Sequence, residues 1–160
     1  MMPRFLADEM LGDVVKWLRI MGYEAMYRKG ESDKALLERA KKGLVLLTSD
    51  RELYKMSTKY GVKCILLEGE SIDDKLVQTF RKLNMKPSLK STRCTVCGGE
   101  LEVTKRKSLR PMPSSKTIWI CRKCGKMYWK GSHWVNIAKR FKQVENRLTR
   151  EKDKSQSANS

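Results

Sequence analysis

Two pairs of cysteines in the second half of the chain have the spacing of a metal site. Each pair is a CxxC step followed by glycine, and 23 residues lie between the pairs. Two such turns supply four thiolates, which complete the tetrahedral coordination that zinc prefers. The predicted zinc is structural, because sulfur fills every position and leaves none for a substrate. The predicted ligands are Cys94, Cys97, Cys121 and Cys124.

Other uses of these cysteines are redox chemistry, disulfide formation and an iron–sulfur centre. Redox CxxC motifs usually occur singly beside a thioredoxin-like pattern, which is absent here. Disulfides belong to oxidising compartments, and residues 1–9 lack the apolar core of a signal peptide. We therefore predict a cytoplasmic location. The fifth cysteine, Cys64, lies in a buried strand pattern and is interpreted as a core residue.

Acidic residues stand at the ends of predicted buried strands. Asp8 and Asp50 each follow such a strand, and Asp33 begins a helix that could point to the same edge. The carboxyl ends of parallel strands form the edge at which ligands bind. Clustered carboxylates repel one another unless a hard cation such as Mg²⁺ or Mn²⁺ neutralises them, and such an ion activates water for phosphate hydrolysis. Taken singly, each aspartate is equally well explained as a helix N-cap.

The elements that would position these residues alternate between strand and helix. The run Leu44–Thr48 is continuously apolar, which is typical of a strand covered on both faces. Four strand–helix units with short connections predict a parallel sheet with right-handed crossovers and helices on both faces. The predicted organisation is an α/β domain at 1–86, a linker at 87–91, a zinc ribbon at 92–131, a basic helix at 132–150 and a disordered tail at 151–160.

Charge predicts a polyanionic partner. The formal net charge is +17, and residues 91–160 hold 17 Lys/Arg against 5 Asp/Glu. Nucleic acid is the first candidate, because each phosphate neutralised by a basic side chain releases counterions. An anionic membrane surface and a solvated basic face are the alternatives. The sequence contains no apolar run of 18 residues, so we predict no membrane-spanning helix.

Several short blocks carry a family resemblance. They are Phe5–Gly12, Lys16–Arg19, Met21–Tyr23, Ser32–Asp33, Leu46–Leu53, the two CxxC pairs and Tyr128–Trp134. Together they resemble the PIN-like ribonuclease domains of the Mut-seven C-terminal family with a fused C-terminal zinc ribbon, over residues 4–135. The resemblance implies a PIN-like parallel-sheet α/β fold with a small zinc ribbon and a terminal helix. It also implies a metal-dependent ribonuclease.

The same resemblance suggests Asp8, Asp33 and Asp50 as the acidic set. Many PIN nucleases have a fourth acid, which is not obvious in this sequence. Asp74 and Glu52 are the candidates for that position, although acids at helix N-termini are ordinary. Without a fourth acid, the domain could bind RNA and not cut it.

We therefore predict a metal-dependent endoribonuclease that hydrolyses single-stranded RNA. One alternative is an RNA-binding protein without catalysis, associated with ribosomes or RNA processing. Another is a protein-interaction ribbon or a toxin-like nuclease with a protein partner. Trp119, Tyr128, Trp129 and Trp134 offer surfaces for base stacking, although packing in a small ribbon core explains at least two of them better. The predicted nucleic-acid contacts are Arg51, Arg122, Lys123, Lys126, Trp129, His133, Trp134, Lys139 and Arg140.

Overall fold

A computed structural model of the chain describes residues 2–104 and 117–158. Part of the predicted ribbon, 105–116, and the end of the predicted tail, 159–160, lie outside the described residues. Within the described ranges, no helix has both the length and the apolar content needed to cross a membrane.

Four parallel strands form the central sheet. The strands are β1 (Phe5–Asp8), β2 (Ala25–Arg28), β3 (Val45–Thr48) and β4 (Cys64–Leu66). Their spatial order is β2-β1-β3-β4, and every neighbouring pair is parallel. The predicted α/β fold with a parallel sheet is therefore confirmed. Because β1 and β3 are hydrogen-bonded neighbours, their carboxyl ends lie side by side at one edge.

Helices connect the strands in the predicted alternation. They are α1 (Gly12–Ile20), which follows a short 3₁₀ turn, α2 (Asp33–Ala40), α3 (Arg51–Lys59) and α4 (Ile72–Lys82). The last three begin at side chains that accept hydrogen bonds from otherwise unpaired amides: Ser32, Asp50 and Ser71. Capping residues thus fix where each helix leaves the carboxyl edge of the sheet.

Alternation along the strands divides the apolar residues between two cores. Phe5 and Ala7 face the larger core, which contains residues of α1 and α4. Leu6 and Leu46 face the second core, which contains residues of α2 and α3. Successive side chains of a strand point to opposite faces, so a continuously apolar strand needs a helix layer on each side. This arrangement explains why all four residues of β3 are buried.

The second half begins with a small antiparallel sheet. Its strands are β5 (Leu101–Thr104), β6 (Ile118–Cys121) and β7 (Met127–Trp129), in the order β5-β6-β7. Both cysteine pairs lie at turns flanking this sheet, as a ribbon requires.

The last helix, α5 (Ser132–Ala158), returns to the α/β domain. Val144 is fully buried in the larger core, and Phe141 and Leu148 pack against it. The helix continues beyond Arg150, where the sequence pattern predicted a tail. Its extra residues are low in hydrophobicity but include Glu, Lys and Gln, which are strong helix formers once a preceding turn exists.

Candidate functional site

A buried threonine joins two of the predicted acids at the edge of the sheet. The Thr48 hydroxyl donates a 2.6 Å hydrogen bond to Asp8 Oδ2 and accepts one of 3.0 Å from the Asp50 backbone amide. Thr48 is fully buried, whereas Asp8 is half-buried and Asp50 is exposed. The buried hydroxyl therefore fixes the position of Asp8 relative to the start of α3. The two carboxylates remain on the solvent side of this hydroxyl.

Helix capping restrains the same two carboxylates. Asp8 Oδ1 accepts a hydrogen bond of 3.1 Å from the Met10 amide. Asp50 Oδ1 accepts hydrogen bonds of 2.8 and 3.3 Å from the amides of Glu52 and Leu53. The capping explanation and the metal-site explanation are compatible, because a carboxylate oxygen that accepts one hydrogen bond keeps a second lone pair for an ion.

The other two predicted acids have different surroundings. Asp33 is an exposed residue in the first turn of α2, and Ser32 supplies the cap there. Asp74 forms a 3.0 Å ion pair with Arg147 of α5. Hydrogen bonding to Ser71 and then to Arg147 lowers the pKa of the Asp74 carboxyl. Across the described residues, no carboxylates form a group of three with ligand atoms within 4.8 Å of one another. The structure thus brings Asp8 and Asp50 to one edge without completing a compact acidic trio.

The four predicted zinc ligands converge. Their sulfurs all lie within 4.8 Å of one another, with 3.6 Å between Cys94 and Cys124 and 3.4 Å between Cys97 and Cys121. Tetrahedral zinc with bonds of about 2.3 Å places its sulfurs roughly 3.8 Å apart. The described residues contain no other metal-sized group of His, Cys, Asp or Glu. This cluster could hold a zinc ion.

The two cysteine turns have the same backbone geometry. Gly98 donates to the Cys94 carbonyl at 2.8 Å, and Gly125 donates to the Cys121 carbonyl at 3.0 Å. Both glycines have φ of +78°, a conformation that side chains disfavour. Each turn thereby places two sulfurs on the same side of the backbone, and the repeated CxxCG sequence is explained.

Gly99 lies directly against the sulfurs. A Cβ atom at this position would stand 2.8 Å from Cys121 Sγ and 3.3 Å from Cys97 Sγ. Its amide contacts the Cys97 sulfur at 3.4 Å, and the Lys123 and Cys124 amides contact the Cys121 sulfur at the same distance. These amides would stabilise the negative charge of thiolates.

The surroundings of the cysteines favour the thiolate at some positions of the cluster and oppose it at others. Burial opposes ionisation of Cys94, but hydrogen bonds led by the Tyr128 hydroxyl lower its pKa to about 6. A Lys126 amide favours the Cys124 thiolate, yet burial and the neighbouring sulfurs raise its pKa to about 11. Burial likewise opposes ionisation of Cys121, but the Cys124 and Lys123 amides lower its pKa, so the cluster favours thiolates at Cys94 and Cys121 and disfavours one at Cys124. A divalent ion removes that conflict, so the donor set fits zinc.

Tyr128 belongs to this cluster and not to an open stacking surface. Its hydroxyl lies 3.0 Å from Cys94 Sγ and accepts a 3.2 Å hydrogen bond from the Thr95 amide. Burial and then Cys94 raise the pKa of Tyr128 to about 12. The sequence suggested base stacking for this residue. Only its position on β7, opposite the first cysteine turn, reveals the contact with sulfur.

Arg19 joins the cysteine turn to the α/β domain, and sequence reasoning missed it. Its guanidinium, on α1, donates to the Ala25 carbonyl at 2.8 Å and to the Thr95 and Val96 carbonyls at 2.9 and 3.3 Å. Its own carbonyl accepts from the Arg93 amide at 2.8 Å. The side chain is only 7% exposed. The position of Arg19 on the apolar face of α1 could have predicted this role. A buried guanidinium needs several hydrogen-bond acceptors, which must come from other parts of the chain.

Some of the predicted nucleic-acid contacts already have a partner within this chain, and others are exposed to solvent. Arg140 is held within the protein, because it pairs with Asp73 at 3.1 Å and stacks 4.8 Å from the centre of the Trp17 ring. Arg122 pairs with Glu102 at 2.8 Å on the surface. Trp134 lies under the Lys130 ammonium, 4.9 Å from its ring centre. The other side chains lie at the surface to different extents: Lys123, Lys126, His133 and Lys139 are exposed, and Trp129 is half-buried.

A comparison with known protein families identifies the family of this chain. The model of a family described as the Mut7-C RNAse domain matches residues 3–141. The chain belongs to this family. The match spans the parallel sheet, both cysteine turns of the Mut7-C domain and the first part of α5. No curated protein and no solved structure matches the chain. The predicted family is confirmed, and the family's name indicates a nuclease or RNA-related function.

Proposed function

We propose that this Mut7-C domain is a metal-dependent ribonuclease that hydrolyses single-stranded RNA at the Asp8–Asp50 edge. The observation that supports it is the pair of carboxylates on adjacent parallel strands, linked by Thr48 at 2.6 Å and 3.0 Å. Ligands of open α/β sheets bind at the carboxyl ends of strands. Membership of an RNAse domain family supports RNA as the substrate.

Asp8 and Asp50 would hold Mg²⁺ or Mn²⁺, with Asp33 as a third ligand or a water-mediated one. Carboxylate oxygens are the donors that these hard ions prefer. When bound, the ion supplies an activated water and neutralises charge on the phosphate. Thr48 keeps the Asp8 carboxylate in one orientation, and the caps keep Asp50 in register with α3. Arg51, exposed beside Asp50, would contact a phosphate.

Zinc in the four-cysteine cluster is structural in this proposal. The exposed cations around it, including Lys123 and Lys126, would hold the RNA backbone through counterion release. Because each contact is electrostatic, binding weakens as salt rises. The partner is RNA in the cytoplasm, as free RNA or within a ribosomal or RNA-processing complex.

The test is cleavage of a labelled single-stranded RNA with and without Mn²⁺. Asp8→Asn and Asp50→Asn each should abolish Mn²⁺-dependent cleavage while leaving the fold and RNA binding intact. Asp13→Asn is the matched control, since Asp13 is an exposed acid in the first turn of α1. Cleavage that survives in the double Asp8/Asp50 variant would show that the acidic edge is not the catalytic site.

A second candidate is an RNA-binding protein without catalysis. The observation that favours it is the lack, among the described residues, of three carboxylates close enough to share one ion. It predicts that the wild-type protein never cleaves RNA with Mg²⁺ or Mn²⁺ and yet binds RNA with a steep salt dependence. The same assay therefore separates the two candidates.

A further inference from the structure

A cleft opens beside the acidic edge, between the carboxyl ends of β3 and β4. Its volume is about 520 Å³, within the range of roughly 300–1,000 Å³ typical of small-molecule sites. Ser49 and Arg51, the neighbours of Asp50, line one side. The loop after β4 and Lys75 of α4 line the other side. The cleft is thus next to the carboxylates and separate from the ribbon.

The wall formed by the loop after β4 is held rigid by hydrogen bonds. Ser49 Oγ donates to the Leu67 carbonyl at 2.9 Å. The Gln78 side chain accepts from the Glu68 amide at 2.9 Å and donates to the Glu68 carbonyl. Gly69 then takes a φ of +96°, and a Cβ there would stand 3.0 Å from Asp74 Oδ2. Arg147 of α5 holds Asp74 in place at 3.0 Å. The loop is therefore supported from three sides before any ligand arrives.

The cleft carries cations that an anion can recruit. Lys75 is half-buried in its wall, and no ion pair of this side chain is found within the described residues. Arg51 pairs with Glu68 at 3.2 Å, with both side chains exposed at 77% and 62%. A surface pair of this kind contributes little to stability, so a phosphate can replace Glu68 as the partner of Arg51. Two cations and one displaceable carboxylate favour an anionic ligand.

The cleft also has an apolar rim. Met10 is 80% exposed, which is unusual for a large hydrophobic side chain, and Leu11 and Leu66 lie beside it. A thioether is polarisable and makes favourable contacts with aromatic rings. A ligand with both a phosphate and a flat ring matches a cleft whose lining combines two cations with an exposed methionine.

We infer that this cleft binds one nucleotide of the RNA chain next to the scissile phosphate, with Lys75 and Arg51 on a phosphate and Met10 on the base. The inference rests on RNA being the substrate, as in the proposed function. Because the faces of a base inside a duplex are covered by its neighbours, a base that stacks on Met10 must lie outside a duplex. The cleft would thereby select single-stranded RNA.

The experiment measures binding without chemistry. A short fluorescein-labelled single-stranded oligoribonucleotide is titrated into the full chain with no added Mg²⁺ or Mn²⁺, over a series of KCl concentrations. Loss of one phosphate contact lowers the slope of log K against log salt by about 0.7 on a single strand. Lys75→Gln should show that loss. Lys63→Gln, an exposed lysine just before β4 at the opposite edge of the sheet, should not.

Two further variants protect the result from misfolding. Lys75→Arg keeps the charge and should retain the wild-type slope. Glu68→Gln removes the competitor for Arg51 and should tighten binding, which a damaged protein cannot do. In amide NMR spectra, a nucleoside monophosphate should shift the Glu68 and Gly69 signals. Equal slopes for Lys75→Gln and Lys63→Gln, or shifts confined to the ribbon, would overturn the assignment.

Failure of the cleft and failure of the nuclease proposal are distinguishable. If the wild type cleaves RNA and Lys75→Gln binds like Lys63→Gln, the nuclease proposal stands and the cleft does not. If the wild type never cleaves but Lys75→Gln loses one phosphate contact, the cleft stands and catalysis does not.

Discussion

At the scale of single residues, Thr48 connects the two strand-end acids through one buried hydroxyl. It is fully buried, and its hydroxyl serves both Asp8 and the amide of Asp50. The family resemblance included the Thr48–Asp50 step, but the bond to Asp8 spans 40 positions of sequence. Such an orienting contact determines how well a carboxylate can serve a metal.

Thr48→Val should therefore lower Mn²⁺-dependent RNA cleavage by about 10- to 100-fold while the chain remains folded. The free energy of unfolding should fall by about 2–4 kcal/mol, because the variant loses one hydrogen bond to a carboxylate and one to a backbone amide. Thr79→Val is the control, because Thr79 is equally buried and donates to the Lys75 carbonyl at 2.8 Å. Cleavage rates that fall equally in both variants would mean that Thr48 acts only on stability.

Gly99 is a second position where a single atom matters. Gly99→Ala should weaken zinc binding, because the added Cβ would stand 2.8 Å from Cys121 Sγ. Competition with a chromogenic chelator measures the loss. Gly12→Ala is the control, since a Cβ there meets only Tyr27 at 3.9 Å, and its zinc affinity should equal that of the wild type. An unchanged affinity in Gly99→Ala would contradict the close contact.

At the scale of elements, α5 belongs to the α/β core as well as to the ribbon. Its apolar face completes the larger core, while Arg140 and Arg147 pair with Asp73 and Asp74 at the start of α4. Acids in the first turn of a helix interact favourably with the helix dipole. The same two carboxylates also form the ion pairs with the arginines of α5. The helix therefore packs against the α/β domain and stabilises it.

Val144→Ala should lower the free energy of unfolding by about 2 kcal/mol, because it removes fully buried methyl groups and leaves a cavity. Val135→Ala is the matched control on the same helix, since Val135 is 68% exposed and its truncation should cost almost nothing. Urea unfolding followed by circular dichroism measures both. Equal stabilities would show that α5 does not pack on the core in solution.

At the scale of the whole molecule, Arg19 makes the ribbon and the α/β domain one unit. A single buried guanidinium donates to one carbonyl of the sheet domain and two of the first cysteine turn. Order in that turn, which zinc would provide, is thereby transmitted to α1. Metal loading and stability of the nuclease domain are expected to be linked.

Arg19→Met should lower the free energy of unfolding by about 3–6 kcal/mol, since it removes two donating nitrogens of a charged group, and hydrogen bonds from a charged donor contribute about 1.5–3 kcal/mol each. Arg39→Met, which removes the surface ion pair with Glu31 at 2.8 Å, should cost only about 0–1 kcal/mol. Zinc chelation should accelerate hydrogen exchange of the α1 amides in the wild type and leave it unchanged in Arg19→Met. Identical responses of the two proteins to chelation would rule out the coupling.

Local patterns in the sequence determined the elements and the zinc ligands. Alternating apolar runs, capping residues and the repeated CxxCG step depend on interactions within a few positions, so they predict strands, helix starts and thiolate pairs directly. The parallel sheet followed from the strand–helix alternation, and Asp8 and Asp50 followed from its strand ends. A disordered tail was predicted after Arg150, but α5 continues to Ala158, because helix propagation depends on the preceding packed turns.

Tertiary structure decided which side chains share an environment. The Thr48–Asp8 bond, the Arg19 tether, the contact of Tyr128 with Cys94 and the ion pairs of α5 all join residues distant in sequence. It also paired Asp74 with Arg147 of α5. The sequence determines the chemistry of each side chain. Which partner a buried or charged group binds depends on how distant parts of the chain pack together.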